Sequence, residues 1–266
     1  MYATRSRRVK TDKRDARTLA EACRLGAYRP AHRTSDRQRH VRAKLAVREA
    51  IVRTRSKYIS LIRALLRRDG LRVAAGTARS FCARLECLPL SAEMRAEAAP
   101  LITLLESVNE QLRQADAEMA QLVKDDPVIK RLTTAPGVGP VTAVCFVSTL
   151  DDVSRFPDAK QARAYLGLVP SEYSSGERQQ RGRIAKAGPN RARYLLVEAA
   201  GALMRSSGPE GAALRAWAAH IRERRGTKVA IVALARKLAG ILYAMWRDAR
   251  DFQSEVSRQA DEALTA

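Results

Sequence analysis

The sequence predicts a mainly α-helical fold, and three observations support this. Aromatic residues make up only 5% of the 266 residues, which favours helices packed through Ala, Leu and Val over a β-sandwich. Two long stretches place apolar residues at helical spacing. A glycine-punctuated turn, Pro136-Gly137-Val138-Gly139-Pro140, then introduces a group of shorter helices. We therefore expect a long helical region followed by a helical domain that carries one extended basic loop.

The charge of the chain limits its partners. Forty-nine Lys and Arg residues stand against twenty-eight Asp and Glu residues, for a formal net charge of +21. Such an excess favours nucleic acid as the partner. No apolar run is long enough to span a bilayer, and no secretory or lipidation signal opens the chain. We expect a cytoplasmic protein that binds no membrane, and the scattered cysteines indicate neither a zinc site nor a disulfide framework.

Residues 1–33 form the first predicted segment, which contains a short helix with Thr11 or Asp12 as its N-cap. Asp12 and Asp15 are three residues apart, so they share one face of that helix. Two carboxylates on one face suit a magnesium ion that assists phosphodiester cleavage. From the spacing alone, a capping residue and a solvated neighbour are the favoured interpretation.

Residues 34–126 form the second segment, in which Ser35 to Arg68 is predicted to be a long amphipathic helix with a basic outer face. A shorter helix, Ala78 to Leu88, follows. The next helix carries apolar residues at alternating spacings of four and three: Leu101, Leu105, Val108, Leu112, Ala115, Met119 and Leu122. This heptad seam suits either a helical hairpin within the chain or a coiled coil between two chains, and the second alternative predicts a homo-oligomer.

Residues 127–252 form the third segment, and residues 253–266 form a polar tail. Two short apolar segments flank Gly137 and Gly139, which is the pattern of a helix-hairpin-helix. Glycine lets a partner approach the backbone closely, and a helix that begins near Gly139 would direct free N–H groups at a phosphate. A plain turn between helices also uses Gly and Pro. The surrounding charge favours phosphate binding.

The stretch from Glu172 to Lys186 is too polar and too often broken by Gly for a core helix, so we predict an extended loop or ragged hairpin. It carries four cations expected to contact phosphates: Arg178, Arg181, Arg183 and Lys186. Arg191 and Arg193 follow in the first turn of a helix that ends at Arg205. Cations in a first turn oppose the helix dipole. A phosphate between them would relieve that conflict. A helix from Pro209 to Glu223 and an apolar core helix from Lys228 to Trp246 complete the segment.

These pieces together resemble the insertion-sequence one-ten transposases, which are related to the Piv and MooV site-specific invertases. Three blocks carry the resemblance, and together they extend over nearly the whole chain. They are Lys10 to Ala16, Ala135 to Gly176, and Lys228 to Trp246.

The resemblance implies a RuvC-like nuclease domain with four acids in the order Asp, Glu, Asp, Asp (DEDD). A helical coiled coil joins it to a C-terminal domain with a catalytic serine. Asp12 and Asp15 match the last two acids and would be magnesium ligands, and Ser175, directly before Gly176, best matches the serine. Members of the family are understood as recombinases guided by a structured RNA. The implied partners are therefore DNA, a guide RNA and Mg²⁺.

The position of the acids is where the sequence departs from the family pattern. The first Asp and the Glu should lie upstream on strands, but the chain begins only a few residues before Asp12. We therefore expect a truncated transposase that is inactive alone, with residues 1–33 as the remnant of a RuvC-like α/β domain. Mg²⁺ is expected only with a complete RuvC-like domain. The alternatives are a non-catalytic nucleic-acid-binding protein and a Holliday-junction or repair factor.

Overall fold

The computed structural model describes residues 11–28, 31–172 and 181–253, and within these ranges the chain is mainly helical, as predicted. Two short 3₁₀ turns, Val153–Arg155 and Pro209–Gly211, join some of the helices. The α-helices are α1 (Asp12–Arg24), α2 (Asp36–Arg68), α3 (Phe81–Glu86), α4 (Ala92–Asp125), α5 (Pro127–Leu132), α6 (Pro140–Leu150), α7 (Ala159–Tyr165), α8 (Asn190–Arg205), α9 (Ala212–Arg225) and α10 (Thr227–Arg247). The strands are β1 (Pro170–Glu172) and β2 (Arg181–Ile184).

The described residues divide into two compact units between Ser35 and Asp36. The first unit contains α1, whose N-cap is Thr11: its hydroxyl accepts a hydrogen bond from the Arg14 N–H at 3.4 Å. Asp12 and Asp15 therefore lie in the first turn of the helix rather than at its cap. The second unit contains every element from α2 to α10.

Helices α2 and α4 form an antiparallel hairpin. Ion pairs join Lys44 to Glu118 at 3.2 Å near one end and Arg68 to Glu97 at 2.7 Å near the other. Between the two helices, three residues of the heptad seam are buried: Leu105, Leu112 and Met119. Leu105 packs in a cluster that includes Ile59, Ile62 and Leu66 of α2 and Phe81 of α3. The structure thus uses the seam within the chain, which is the first of the two predicted alternatives.

Helix α6 lies at the centre of the second unit. All nine residues from Thr142 to Leu150 are buried, because the helix carries no charged residue and only small polar ones among its apolar side chains. Arginine side chains satisfy the carbonyl groups at its C-terminal end. Arg42 of α2 donates to the Ser148 and Thr149 carbonyls at 2.7 and 2.9 Å, and Arg155 donates to the Leu150 carbonyl at 2.5 Å. These cations also complement the negative end of the helix dipole.

Helix α10 is the second core helix and packs against α7, α8 and α9. Tyr243 is fully buried, and its hydroxyl donates to the Phe156 carbonyl at 2.6 Å. By length and composition alone, α10 is one described helix that could cross a membrane. Arg236 and Lys237 interrupt its apolar run. Half of its most apolar window is buried inside the fold, which agrees with the predicted core role.

Residues on both sides of position 126 share one hydrophobic core. Val41 and Leu45 of α2 and Met119 of α4 belong to the same cluster as the buried residues of α5 to α10. Asp126 itself is buried: it caps α5 by accepting from the Val128 N–H at 2.9 Å, and it pairs with Arg37 at 2.8 Å. The predicted segments 34–126 and 127–252 therefore pack together as one unit.

Candidate nucleic-acid interface

Two paired strands contain part of the stretch predicted as a basic loop, Glu172 to Lys186. β1 and β2 are antiparallel, with Pro170 opposite Ile184 and Glu172 opposite Arg181, and an irregularity interrupts the register. The Ser171 hydroxyl donates to the Arg183 carbonyl across the pair at 3.0 Å. A ragged hairpin is therefore present where the sequence predicted an extended loop or hairpin. We call residues 170–184 the ribbon; Ser175 and Arg178 lie between its strands, outside the described residues.

The base of the ribbon is fixed between α7 and α8. The Ala185 N–H donates to the Val169 carbonyl at 2.8 Å, and the Lys186 N–H donates to the Gly167 carbonyl at 3.2 Å. Gly167 has φ of +67°, and a Cβ there would lie well under 3.0 Å from the Ala187 carbonyl oxygen. No side chain fits at this position, so the two chain segments approach more closely than other residues would allow.

Arg193 supports the base of the ribbon from inside the fold. It is only 8% exposed, and its Nη1 donates to the Leu166 carbonyl at 3.1 Å. Its Nη2 donates to the Asn190 side-chain oxygen at 3.1 Å. The predicted phosphate contact of Arg193 does not fit this burial. Protein oxygens already compensate this cation near the positive end of the helix dipole.

Arg191 ties α8 to α2. Its Nε donates to the Glu49 carboxylate at 2.5 Å, and Glu49 also pairs with Arg53. Burial acts to raise the pKa of the Glu49 carboxyl, but the two arginines outweigh burial and lower the pKa below its ordinary value. Because Arg191 is half-buried and already paired, a phosphate contact at this residue would have to compete with Glu49.

Two of the predicted phosphate-binding cations remain exposed to solvent. Arg183 of β2 and Lys186 just after it are both exposed, and the described residues include no ion-pair partner for either. Arg181 lies at the first position of β2. The phosphate contacts of all three stay predictions, and the exposure of Arg183 and Lys186 is compatible with them.

The turn between α5 and α6 uses its two glycines differently. Gly137 has φ of +81°, and a Cβ there would lie 2.6 Å from the Ala199 carbonyl oxygen of α8. The partner that approaches Gly137 on this side is therefore α8 of the same chain. Gly139 is the N-cap of α6, with open space around it and no capping side chain. Of the two glycines predicted to contact nucleic acid, only Gly139 has open space in front of it.

The carboxylates of Asp12 and Asp15 lie in the first turn of α1, where Asp12 is exposed. In the part of the chain that the structure describes, no group of three or more His, Cys, Asp and Glu side chains could hold a metal ion. Magnesium prefers six oxygen ligands, and two carboxylates supply a minority of them. The pair alone does not make a complete magnesium site.

Two further arginines, which no sequence motif indicates, lie where α7 packs against α10. Arg163 of α7 lies against Gly240 of α10, and Arg236 is one turn earlier on the same face of α10. A signal was present, since glycine inside a long helix is disfavoured and usually has a packing reason. Nothing in the sequence alone connected Gly240 to Arg163, which lies more than seventy residues earlier.

Comparison with known proteins identifies the family. Residues 129–215, which run from α5 through the ribbon into α9, match the family described as "Transposase IS116/IS110/IS902 family". Over 248 residues the chain is 34% identical to "Probable family 20 transposase" of Pseudomonas aeruginosa, covering 89% of this chain and 73% of that relative. The chain belongs to this transposase family. The resemblance inferred from the sequence is thus confirmed.

Two other transposases match this chain with similar identity and coverage. The chain is 32% identical over 241 residues to "Transposase for insertion sequence element IS1111A" of Coxiella burnetii, covering 89% of this chain and 66% of the relative. It is 31% identical over 241 residues to "Transposase for insertion sequence element IS1328" of Yersinia enterocolitica, covering 89% and 71%. The chain therefore spans 66% to 73% of the length of these relatives.

Proposed function

We propose that this chain is the DNA-binding, serine-bearing part of an insertion-sequence transposase and acts in the cytoplasm. The observation that carries the proposal is the ribbon, which lies inside the family-matched residues 129–215 and has a fixed base. Arg183 of the ribbon and Lys186 just after it are exposed to solvent, and both follow a Ser-Ser-Gly sequence in the chain. The relatives are named transposases of insertion sequences, which supports DNA as the substrate.

The serine chemistry is proposed for Ser175. Its Oγ would attack a DNA phosphorus, forming a Ser–O–P bond and breaking the bond to a sugar oxygen, which leaves with a proton. A serine hydroxyl is a poor nucleophile at neutral pH, so it needs an activating group and cations that neutralise the charge on the phosphate oxygens. Arg183 and Lys186 would supply such cations, together with Arg178 and Arg181. Burial raises the pKa of the Cys145 thiol to about 11, so this cysteine does not compete as a nucleophile.

A second phosphate contact is proposed at the start of α6. The α5–α6 turn would act as a helix-hairpin-helix in which Gly139 leaves the first-turn N–H groups uncovered. The positive end of the helix dipole favours an anion at this position. Gly137 would contribute indirectly, because it allows the turn to pack against α8.

We also propose magnesium as the cofactor and a guide RNA as a partner of the complete transposase. Asp12 and Asp15 would hold Mg²⁺ only together with the further acids of a complete RuvC-like domain, and no step of the serine attack is assigned to them. A net charge of +21 suits a structured guide RNA as well as DNA. The non-catalytic nucleic-acid-binding protein remains the competing function, and the serine experiment separates the two.

The test joins the chain to a complete RuvC-like domain and incubates it with guide RNA, Mg²⁺ and labelled DNA. A denaturing gel then reports any covalent adduct. Ser175→Ala should abolish the adduct with little loss of binding, because a hydroxyl contributes only about 0.5–1.5 kcal/mol as a hydrogen-bond partner. Ser174→Ala is the matched control and should keep the adduct.

Each other outcome of the gel has a defined meaning. If Ser174→Ala loses the adduct and Ser175→Ala keeps it, the nucleophile is the adjacent serine. If both variants keep the adduct, the serine mechanism is wrong. If the joined protein binds DNA but forms no adduct, the non-catalytic function is favoured.

A further inference from the structure

A buried glycine in α10 makes room for an arginine. Gly240 lies inside this 21-residue helix, where glycine is disfavoured relative to alanine. A Cβ at Gly240 would lie well under 3.0 Å from three atoms of the Arg163 guanidinium: Nη2, Cζ and Nε. The guanidinium therefore lies directly on the backbone of α10, in a position that only glycine permits.

The Arg163 guanidinium is incompletely paired among the described residues. Its Nε is covered by protein and has no hydrogen-bond partner, and no described residue forms an ion pair with the side chain. Burial lowers the pKa of Arg163, and repulsion from Arg236 lowers it further. Asp158 acts in the opposite direction, but its carboxylate also caps α7 by accepting from the Gln161 N–H at 2.8 Å.

Arg163 lies on α7, the helix that leads into the ribbon, whereas Arg236 lies on α10. The Arg163 carbonyl accepts a hydrogen bond from the Leu168 N–H at 3.0 Å, and β1 begins two residues later at Pro170. Arg236 and Gly240 are four residues apart, so they share one face of α10. Two cations that repel each other are therefore held together where α7 packs against α10, and α7 leads through Leu168 into β1.

We propose that Arg163 and Arg236 form a binding site for a backbone phosphate of a nucleic-acid strand that also contacts the ribbon. The inference rests on the proposed function, in which the ribbon binds DNA. A phosphodiester supplies a negative charge shared by the two arginines, and its two non-bridging oxygens match the forked N–H groups of guanidinium. DNA and RNA present the same group. The site anchors the strand beside the ribbon and is distinct from the exposed cations Arg183 and Lys186.

Two variants test the site in different ways. Gly240→Ala leaves the net charge unchanged but pushes the guanidinium of Arg163 off the helix, and Arg236→Gln removes one of the two cations. The matched control is Arg95→Gln, which removes an exposed cation of α4 that has no ion-pair partner among the described residues. Gly240→Ala should fold, because alanine favours the helix and the displaced atoms are the end of a flexible side chain.

Binding is measured for a labelled DNA duplex and a labelled RNA hairpin at several salt concentrations. Both site variants should lose about tenfold in affinity for the strand that the site holds. Arg236→Gln should also reduce the slope of log K against log salt on the duplex by about 0.9. Arg95→Gln should change affinity much less. The nucleic acid for which the site variants lose affinity identifies the source of the phosphate.

A second measurement separates this site from the proposed function. Inorganic pyrophosphate should raise the Tm of the wild-type chain and raise that of Gly240→Ala less. If both site variants bind DNA and RNA as tightly as Arg95→Gln, the site is overturned while nucleic-acid binding stands. If the wild-type chain binds no nucleic acid, the proposed function fails, and equal pyrophosphate shifts in wild type and Gly240→Ala then overturn the site as well.

Discussion

At the scale of single residues, the sequence does not determine which oxygen each arginine contacts. The sequence predicts that Arg191 and Arg193 contact phosphate, because an anion would offset the unfavourable interaction of two cations with the positive end of the helix dipole. The structure gives them protein partners: carbonyls around the ribbon base for Arg193 and the Glu49 carboxylate for Arg191. A guanidinium binds carbonyl, carboxylate and phosphate oxygens with the same N–H groups. Only tertiary contacts decide which oxygen it meets.

The two glycines of the α5–α6 turn give a residue-scale prediction. Gly137→Ala should destabilise the fold by about 1–3 kcal/mol, because alanine is strained at φ of +81° and its Cβ would meet the Ala199 carbonyl oxygen at 2.6 Å. Gly139→Ser is the matched control. Its backbone φ is −90°, and serine is a good N-cap, so stability should stay the same or rise. Urea unfolding measures both, and equal destabilisation would contradict the packing role of Gly137.

At the scale of elements, the helices were the most predictable part of the fold. The first long helix was predicted from Ser35 to Arg68 and runs from Asp36 to Arg68, and the last was predicted from Lys228 to Trp246 and runs from Thr227 to Arg247. Apolar periodicity determines such helices locally. The partner of the heptad seam was not predictable, because one pattern serves a hairpin within a chain and a coiled coil between chains equally well.

The hairpin gives an element-scale prediction. Leu105→Asp, and separately Leu112→Asp, should lower the free energy of unfolding by about 2–5 kcal/mol, because each leucine is buried between α2 and α4 at 0% and 4% exposure. Leu104→Asp is the control next to Leu105, since Leu104 is 48% exposed and should change stability by about 0.5 kcal/mol or less. Thermal unfolding followed by circular dichroism measures this. A dimer in light scattering that Leu105→Asp converts to a stable folded monomer would favour the coiled coil between chains.

At the scale of the whole molecule, the net charge of +21 favours nucleic acid as the class of partner but does not locate the interface. A polar stretch interrupted by glycines predicts the ribbon. Its base depends on the contacts of Gly167 with Ala187 and of Arg193 with Leu166, which appear only in three dimensions. The roles of Ser175, Asp12 and Asp15 rest on family resemblance, because two carboxylates or one serine are too common to identify a site by themselves. These roles stay predictions.

The most direct test of the account is the salt dependence of DNA binding by the ribbon. In the double variant Arg183→Gln/Lys186→Gln, affinity for a labelled duplex should fall well below wild type. The slope of log K against log salt should decrease by about 1.8, because two phosphate contacts are lost. The matched control Lys57→Gln/Arg95→Gln removes one lysine and one arginine from the exposed surface of α2 and α4 and should lose less. The central claim is contradicted if the two double variants bind alike, or if wild-type affinity is the same at low and physiological salt.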